Sequence, residues 1–144
     1  RESIPEAQKL EGASIKHDIS VPPSKMEEFT RKATKKIDEF QSGVRVIAFG
    51  HLGDGNLHFN LTQPINSDPN SFIEKWDDFS KIVHSIAMDM GGSISAEHGI
   101  GLAKLSELGR LYSEEEVGLM RSIKRAIDPN GIMNPGKLLD VSNS

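Results

Sequence analysis

Residues 44–62 read VRVIAFGHLGDGNLHFNLT, and the way this stretch is read decides the fold. Val44 to Phe49 is a β-branched run of strand type, and residues 57–62 form a return strand that stops before Pro64. Between them, Gly53-Asp54-Gly55-Asn56 puts Asp-Gly at the centre of a two-residue type I′ hairpin turn. That register pairs Gly53 with Asn56, sets Leu52 against Leu57, and sets His51 directly across from His58. Outward from the hairpin, residues 14–21 (SIKHDISV) alternate in polarity and read as a strand, ended by Pro22-Pro23. Ser24 and Glu27 have capping-box spacing ahead of Met26, Phe29, Ala33, Ile37 and Phe40, an amphipathic helix closed by Gly43.

A second capping box, Ser71 to Glu74, opens another helix whose seam is Phe72, Trp76, Phe79, Val83, Ile86 and Met90. Gly91-Gly92 ends it, and residues 93–97 read as a short strand. Strand, helix, strand, strand, helix, strand is the ferredoxin-like βαββαβ order. The expected class is therefore α+β, an antiparallel sheet with helices on one face. A third capping box, Ser113 to Glu116, starts a C-terminal helical extension with Val117, Met120, Ile123 and Ile127 inward, halted near Asp128 by Pro129. With 144 residues the chain is long enough for one domain, 1–144.

Composition removes several function classes. Seventeen Lys and Arg against 21 Asp and Glu leave a net charge of −4, which argues against nucleic acid as a partner. The absence of cysteine rules out disulfides, thiolate zinc sites, iron–sulfur clusters and a cysteine nucleophile. Neither a dinucleotide fingerprint nor a Walker loop nor a G-x-S-x-G elbow is present. No apolar stretch approaches the roughly 20 residues that cross a bilayer. The chain opens at Arg1 with neither an initiator Met nor a signal-like segment, and reads as part of a longer polypeptide.

Any metal must then be held by His, Asp or Glu. Opposed Cβ atoms in a hairpin lie about 5 Å apart, which suits two imidazoles, His51 and His58, converging on one ion. Asn60 shares that face. The alternative is two polar strand residues facing solvent. Ser95 to Gly101 (SAEHGIG) adds Glu97 and His98 at a strand end, and two His with one carboxylate are a common set for a catalytic divalent ion. Alone, Glu97 could equally pair with a lysine and His98 end the strand. Arg1 and Lys16 are candidate anion-binding cations, set against the solvated surface charge that most such residues are. His17, on the strand face opposite Lys16, and His84, off the seam of its helix, read as structural.

HLGDGNLHFN (51–60), SAEHGIG (95–101) and DPNGIMNPGK (128–137) together resemble the C-terminal domain of FAD-linked oxidases of the vanillyl-alcohol oxidase superfamily, in the branch of D-2-hydroxyacid dehydrogenases: D-lactate dehydrogenase, D-2-hydroxyglutarate dehydrogenase and the glycolate oxidase flavoprotein subunit. The likeness runs from Arg1 to about Leu138. It implies a substrate- and metal-binding domain, with FAD held mainly by an N-terminal FAD domain of the same parent polypeptide. His51, His58 and Glu97 would be ligands of a divalent metal, zinc or manganese, and His98 the catalytic base. Arg1, Lys16 and Asn60 would bind a small D-2-hydroxyacid, and Asn134 and Lys137 would lie close to the flavin. Where some relatives carry a hydroxyl residue four positions after the arginine, this chain has Pro5. The resemblance also implies an electron acceptor, a possible homo-oligomer, and a cytoplasmic or membrane-peripheral parent. Two other classes compete with it: a stand-alone ferredoxin-like module sensing a metal or carboxylate, and a metal-dependent hydrolase.

Overall fold

The computed structural model describes residues 3–139. They fall into two compact units divided after Glu97. In the first unit, α1 (Ile4–Lys9) is followed by β1 (Ser14–Ile15), β2 (Asp18–Ser20), a 3₁₀ turn (Pro23–Lys25), α2 (Met26–Phe40), β3 (Arg45–His51), β4 (Asn56–Thr62), α3 (Pro69–Ile73) and α4 (Trp76–Asp89). All strands are antiparallel to β4, with β1 and β2 along one side of it and β3 along the other. β1 and β2 keep a common register, Ile15 against Leu61 and Asp18 against His58, so the expected strand 14–21 is one strand interrupted at residues 16–17. The order matches the ferredoxin-like expectation, with the last strand reduced to a bridge between Ser20 and Ser93. Gly92 makes that bridge possible, because a Cβ there would sit 2.0 Å from the Ser20 carbonyl oxygen.

The sheet's two faces differ because alternate residues differ. Ile15, Ile19, Leu57, Phe59 and Leu61 point into a core closed by Phe29, Ala33 and Ile37 of α2 and Phe79, Val83 and Ala87 of α4. Phe29 meets Phe59 edge to face at 5.4 Å, a geometry that adds about 0.5–1.5 kcal/mol to simple burial. The α4 seam is as read from the sequence, except that Trp76 stays 39% exposed. His84, read as structural, is buried although it lies off the seam, its ring edge-on to His17 at 5.6 Å. His17 is a strand tie. Its Nδ1 lies 2.9 Å from the Phe59 carbonyl, which can only accept, so Nδ1 carries the proton. Nε2 then accepts from the Ser80 hydroxyl at 3.3 Å, while the Phe59 N–H donates to the His17 carbonyl at 2.9 Å.

Two helix starts differ from the sequence expectation. Ser24 makes no cap, because Pro22-Pro23 feed a 3₁₀ turn and α2 begins only at Met26. Asp68 rather than Ser71 caps α3, accepting the Ser71 N–H at 2.8 Å, and α4 starts afresh at Trp76.

In the second unit, α5 (Leu105–Leu111) and α6 (Glu114–Ile127) pack through Leu108, Val117 and Leu139. The predicted capping box is present in full: the Ser113 hydroxyl accepts the Glu116 N–H, and the Glu116 carboxylate accepts the Ser113 N–H. Val117 is buried, whereas Ile123 and Ile127, expected inward, are 52% and 68% exposed. They flank a groove that Met133, Asn134, Lys137 and Leu138 complete. The loop after α6 is built on Asp128. One carboxylate oxygen accepts the Ile132 N–H at 3.0 Å, and the other accepts the Met133 N–H at 2.9 Å and the Lys124 ammonium at 2.6 Å. The Lys124 hydrogen bond is the main cause that holds this carboxyl below its ordinary value of 3.8.

Candidate active site

The hairpin register is the principal correction. His51 pairs with Asn56 and Phe49 with His58, so the two histidines are not directly opposed. A type I′ turn needs positive φ at both central residues, and in this hairpin only Gly55 has it, at +79°. The Asp54 carboxylate instead accepts the Asn56 N–H at 3.0 Å, and Gly55 donates to the His51 carbonyl at 3.1 Å, closing a four-residue loop. Gly55 also lies under β2, where a Cβ would come within 2.0 Å of the Val21 carbonyl oxygen. A register offset of two residues preserves the face, so His51 and His58 remain on the same side as diagonal neighbours, a spacing of about 7–8 Å in an ideal ladder.

That side is the polar face, and its residues lie in rows across the sheet. Ser20, Asn56 and His51 form one row; Asp18, His58 and Phe49 form the next. Continuing the register places Lys16 and Ile47 beside Asn60. Glu97, at the end of the segment bridged to β2, reaches this face. Its carboxylate accepts a hydrogen bond from the Asn56 amide and stands 3.7 Å from His51 Nε2. The Glu97 peptide is fixed from below, its N–H donating to Asp18 Oδ2 at 2.9 Å, and the Ala96 N–H donates to the Asp18 carbonyl at 3.3 Å. Asp18 Oδ1 is 3.9 Å from His58 Nδ1, and the Phe49 ring covers the other side of that imidazole at 5.1 Å.

Of the residues singled out in the sequence, the structure brings His51 and Glu97 together and keeps His58 on their face. Asn60 is buried lower on the same face, where its amide donates to Gln8 Oε1 at 2.9 Å while Gln8 donates to the Thr62 hydroxyl. Lys16 is exposed. Arg1 lies outside the described residues. His98 follows Glu97 in the chain and is exposed. Asn134, with φ of +48°, and Lys137 line the groove beside α6. Two participants escaped the sequence reading, Asp18 and Asn56. Strand alternation alone would have put Asp18 on the face of Lys16.

Two imidazoles and a carboxylate on one sheet face are a donor set that suits a divalent ion of the zinc or manganese kind, so the residues present fit such a group.

Fold and face together define a ferredoxin-like α+β domain with a mixed imidazole–carboxylate cluster on the polar face of its sheet. The model of FAD linked oxidases, C-terminal domain, matches residues 1–138, and the chain belongs to that family. It is 40% identical over 129 residues to D-2-hydroxyglutarate dehydrogenase of Xanthomonas citri pv. viticola, covering 90% of this chain and 27% of that protein. To D-lactate dehydrogenase of Archaeoglobus fulgidus it is 41% identical over 126 residues, 85% of this chain and 26% of the other. A mitochondrial D-2-hydroxyglutarate dehydrogenase of Danio rerio is 39% identical over 140 residues, 96% of this chain and 25% of that protein. The chain thus spans about a quarter of the length of these relatives. Among the described residues no helix is long and apolar enough to cross a membrane.

Proposed function

We propose that this chain is the substrate- and metal-binding domain of an FAD-dependent dehydrogenase that oxidises a D-2-hydroxyacid to the 2-oxoacid. The observation that carries the reading is the approach of His51 and Glu97 on the face that also bears His58, in a chain of this family. His51, His58 and Glu97 would hold a divalent metal, and Asn134 and Lys137 would stand at the flavin. When bound, the ion supplies Lewis-acid polarisation of the substrate's 2-hydroxyl and carboxylate, and the flavin supplies the hydride acceptor.

The remaining work falls to this chain's side chains. By its place in the family motif, Arg1 would bind the substrate carboxylate. Lys16, exposed on the polar face, offers a point charge to an anionic distal group, and Asn60 contributes an amide lower on that face. The His98 imidazole, in its neutral form, takes the 2-hydroxyl proton as the C2 hydrogen leaves with its electron pair. A dicarboxylate such as D-2-hydroxyglutarate would use Lys16, and D-lactate would not.

The test is anaerobic stopped-flow reduction of the flavin, in this chain joined to an FAD-binding domain of its family, by D-2-hydroxyglutarate, D-lactate and their L-enantiomers. Reduction by a D-isomer alone, slowed about 10²–10⁴-fold by His98→Ala, is expected. Equal reduction by L-isomers, or an unchanged rate in His98→Ala, would overturn the proposal.

A further inference from the structure

We infer that Asp18 is a positioning residue: its carboxylate favours the Nδ1–H tautomer of His58 across an ion-pair distance and anchors the peptide that presents Glu97. The inference rests on the reading of His58 and Glu97 as metal ligands, but its content is the state of the His58 ring.

Aspartate side chains are almost never fully buried unless paired, and that of Asp18 is only 3% exposed. Its three oxygens face two parts of the proposed centre, the 96–97 segment and the His58 ring. Oδ2 accepts the Glu97 N–H at 2.9 Å, and the main-chain oxygen accepts the Ala96 N–H at 3.3 Å, so the strand that carries Asp18 also holds the 96–97 segment. Oδ1 stands 3.9 Å from His58 Nδ1, its direct cross-strand neighbour. The Phe49 ring, 5.1 Å from the imidazole, limits its rotation away from the carboxylate.

A carboxylate beside Nδ1 favours the tautomer with the proton on that nitrogen. The lone pair is then at Nε2, the atom left for ligation. Carboxylates that orient a ligating imidazole through its second nitrogen typically change metal affinity about 10–100-fold when lost. One side chain thereby couples β2, β4 and the 96–97 segment, which bring two of the three proposed ligands from distant parts of the chain.

The experiment is long-range ¹H–¹⁵N correlation of the histidine rings in the metal-free full chain, followed by zinc titration, for wild type, Asp18→Asn, His51→Ala and His58→Ala. Wild type is expected to show His58 protonated at Nδ1, and Asp18→Asn to shift the ring toward the Nε2–H form with zinc Kd raised about 10–100-fold. An Nε2–H ring in wild type overturns the inference, and that measurement stands even if Asp18→Asn fails to fold. So does an unchanged ring in Asp18→Asn, or a loss of zinc as complete as in His58→Ala, which would make Asp18 a ligand. If wild type binds no zinc while His58 is protonated at Nδ1 and shifts in Asp18→Asn, the inference holds and the metal reading fails.

Discussion

Replacing His17 by Phe keeps a buried planar ring while removing both of its polar partners. The Phe59 carbonyl loses the Nδ1–H donor 2.9 Å away, and the Ser80 hydroxyl loses Nε2 at 3.3 Å. A buried polar group left without its partner costs about 1–3 kcal/mol, and the longer Ser80 contact belongs at the low end. The sum is a destabilisation of about 2–4 kcal/mol, corresponding to a fall in Tm of about 5–15 °C for a chain of this size. Trp76, the single tryptophan, starts α4 in the same unit as His17, so its fluorescence during urea unfolding reports on the relevant half. The double variant with Ser80→Ala should be less destabilised than the two singles added together, by at least about 0.5 kcal/mol, since the stranded hydroxyl is gone. A loss under about 0.5 kcal/mol in His17→Phe, or strict additivity, would refute the view that the imidazole ties the strands.

Other outcomes follow from the same contacts. Gly55→Ala combines left-handed backbone, costing about 1–2 kcal/mol, with a clash against the Val21 carbonyl and should lower the urea midpoint clearly, whereas Gly53→Ala, with open space around it, should leave the midpoint unchanged. Ser113→Ala removes the capping hydroxyl of α6 and should cost about 0.5–2 kcal/mol, seen as faster amide exchange in its first turn. Because the Asp128 carboxyl is held below 3.8 by Lys124, its contribution to stability is present above that value and is lost as pH falls through the lower folded-state value. Asp128→Asn should therefore reduce the stability of the second unit near neutral pH, and the difference from wild type should shrink below about pH 4 in acid titrations followed by circular dichroism. On the functional side, Lys16→Ala in the flavin-loaded protein should raise the KM for D-2-hydroxyglutarate and leave that for D-lactate unchanged.

The parts of this fold legible in the sequence are those fixed by local periodicity. Phe29, Ala33 and Ile37 on α2 and Phe79, Val83 and Ile86 on α4 announce buried stripes because helix geometry alone puts them on one side. The hairpin was legible as a hairpin, but its register depended on whether Asp54 adopted positive φ or used its carboxylate to catch the Asn56 N–H, and spacing does not distinguish these. The error moved His58 by two residues and so spared its face. The burial of His84, a structural residue as read, was not legible because its partner, His17, comes from a strand 67 positions earlier. Asp18 was passed over for the same reason: nothing near it in the sequence announces the Glu97 peptide or the His58 ring. The capping boxes at Ser24 and Ser71 show the converse limit, since neighbouring Pro22-Pro23 and Asp68 supplied better starts.

The most direct test of the central reading is zinc K-edge X-ray absorption on the chain loaded with one equivalent of zinc. Two imidazoles and a carboxylate at about 2.0–2.2 Å are expected, with the outer-shell scattering of one imidazole lost in His51→Ala and likewise in His58→Ala. A spectrum without imidazole scattering, or one that neither substitution changes, would contradict the account.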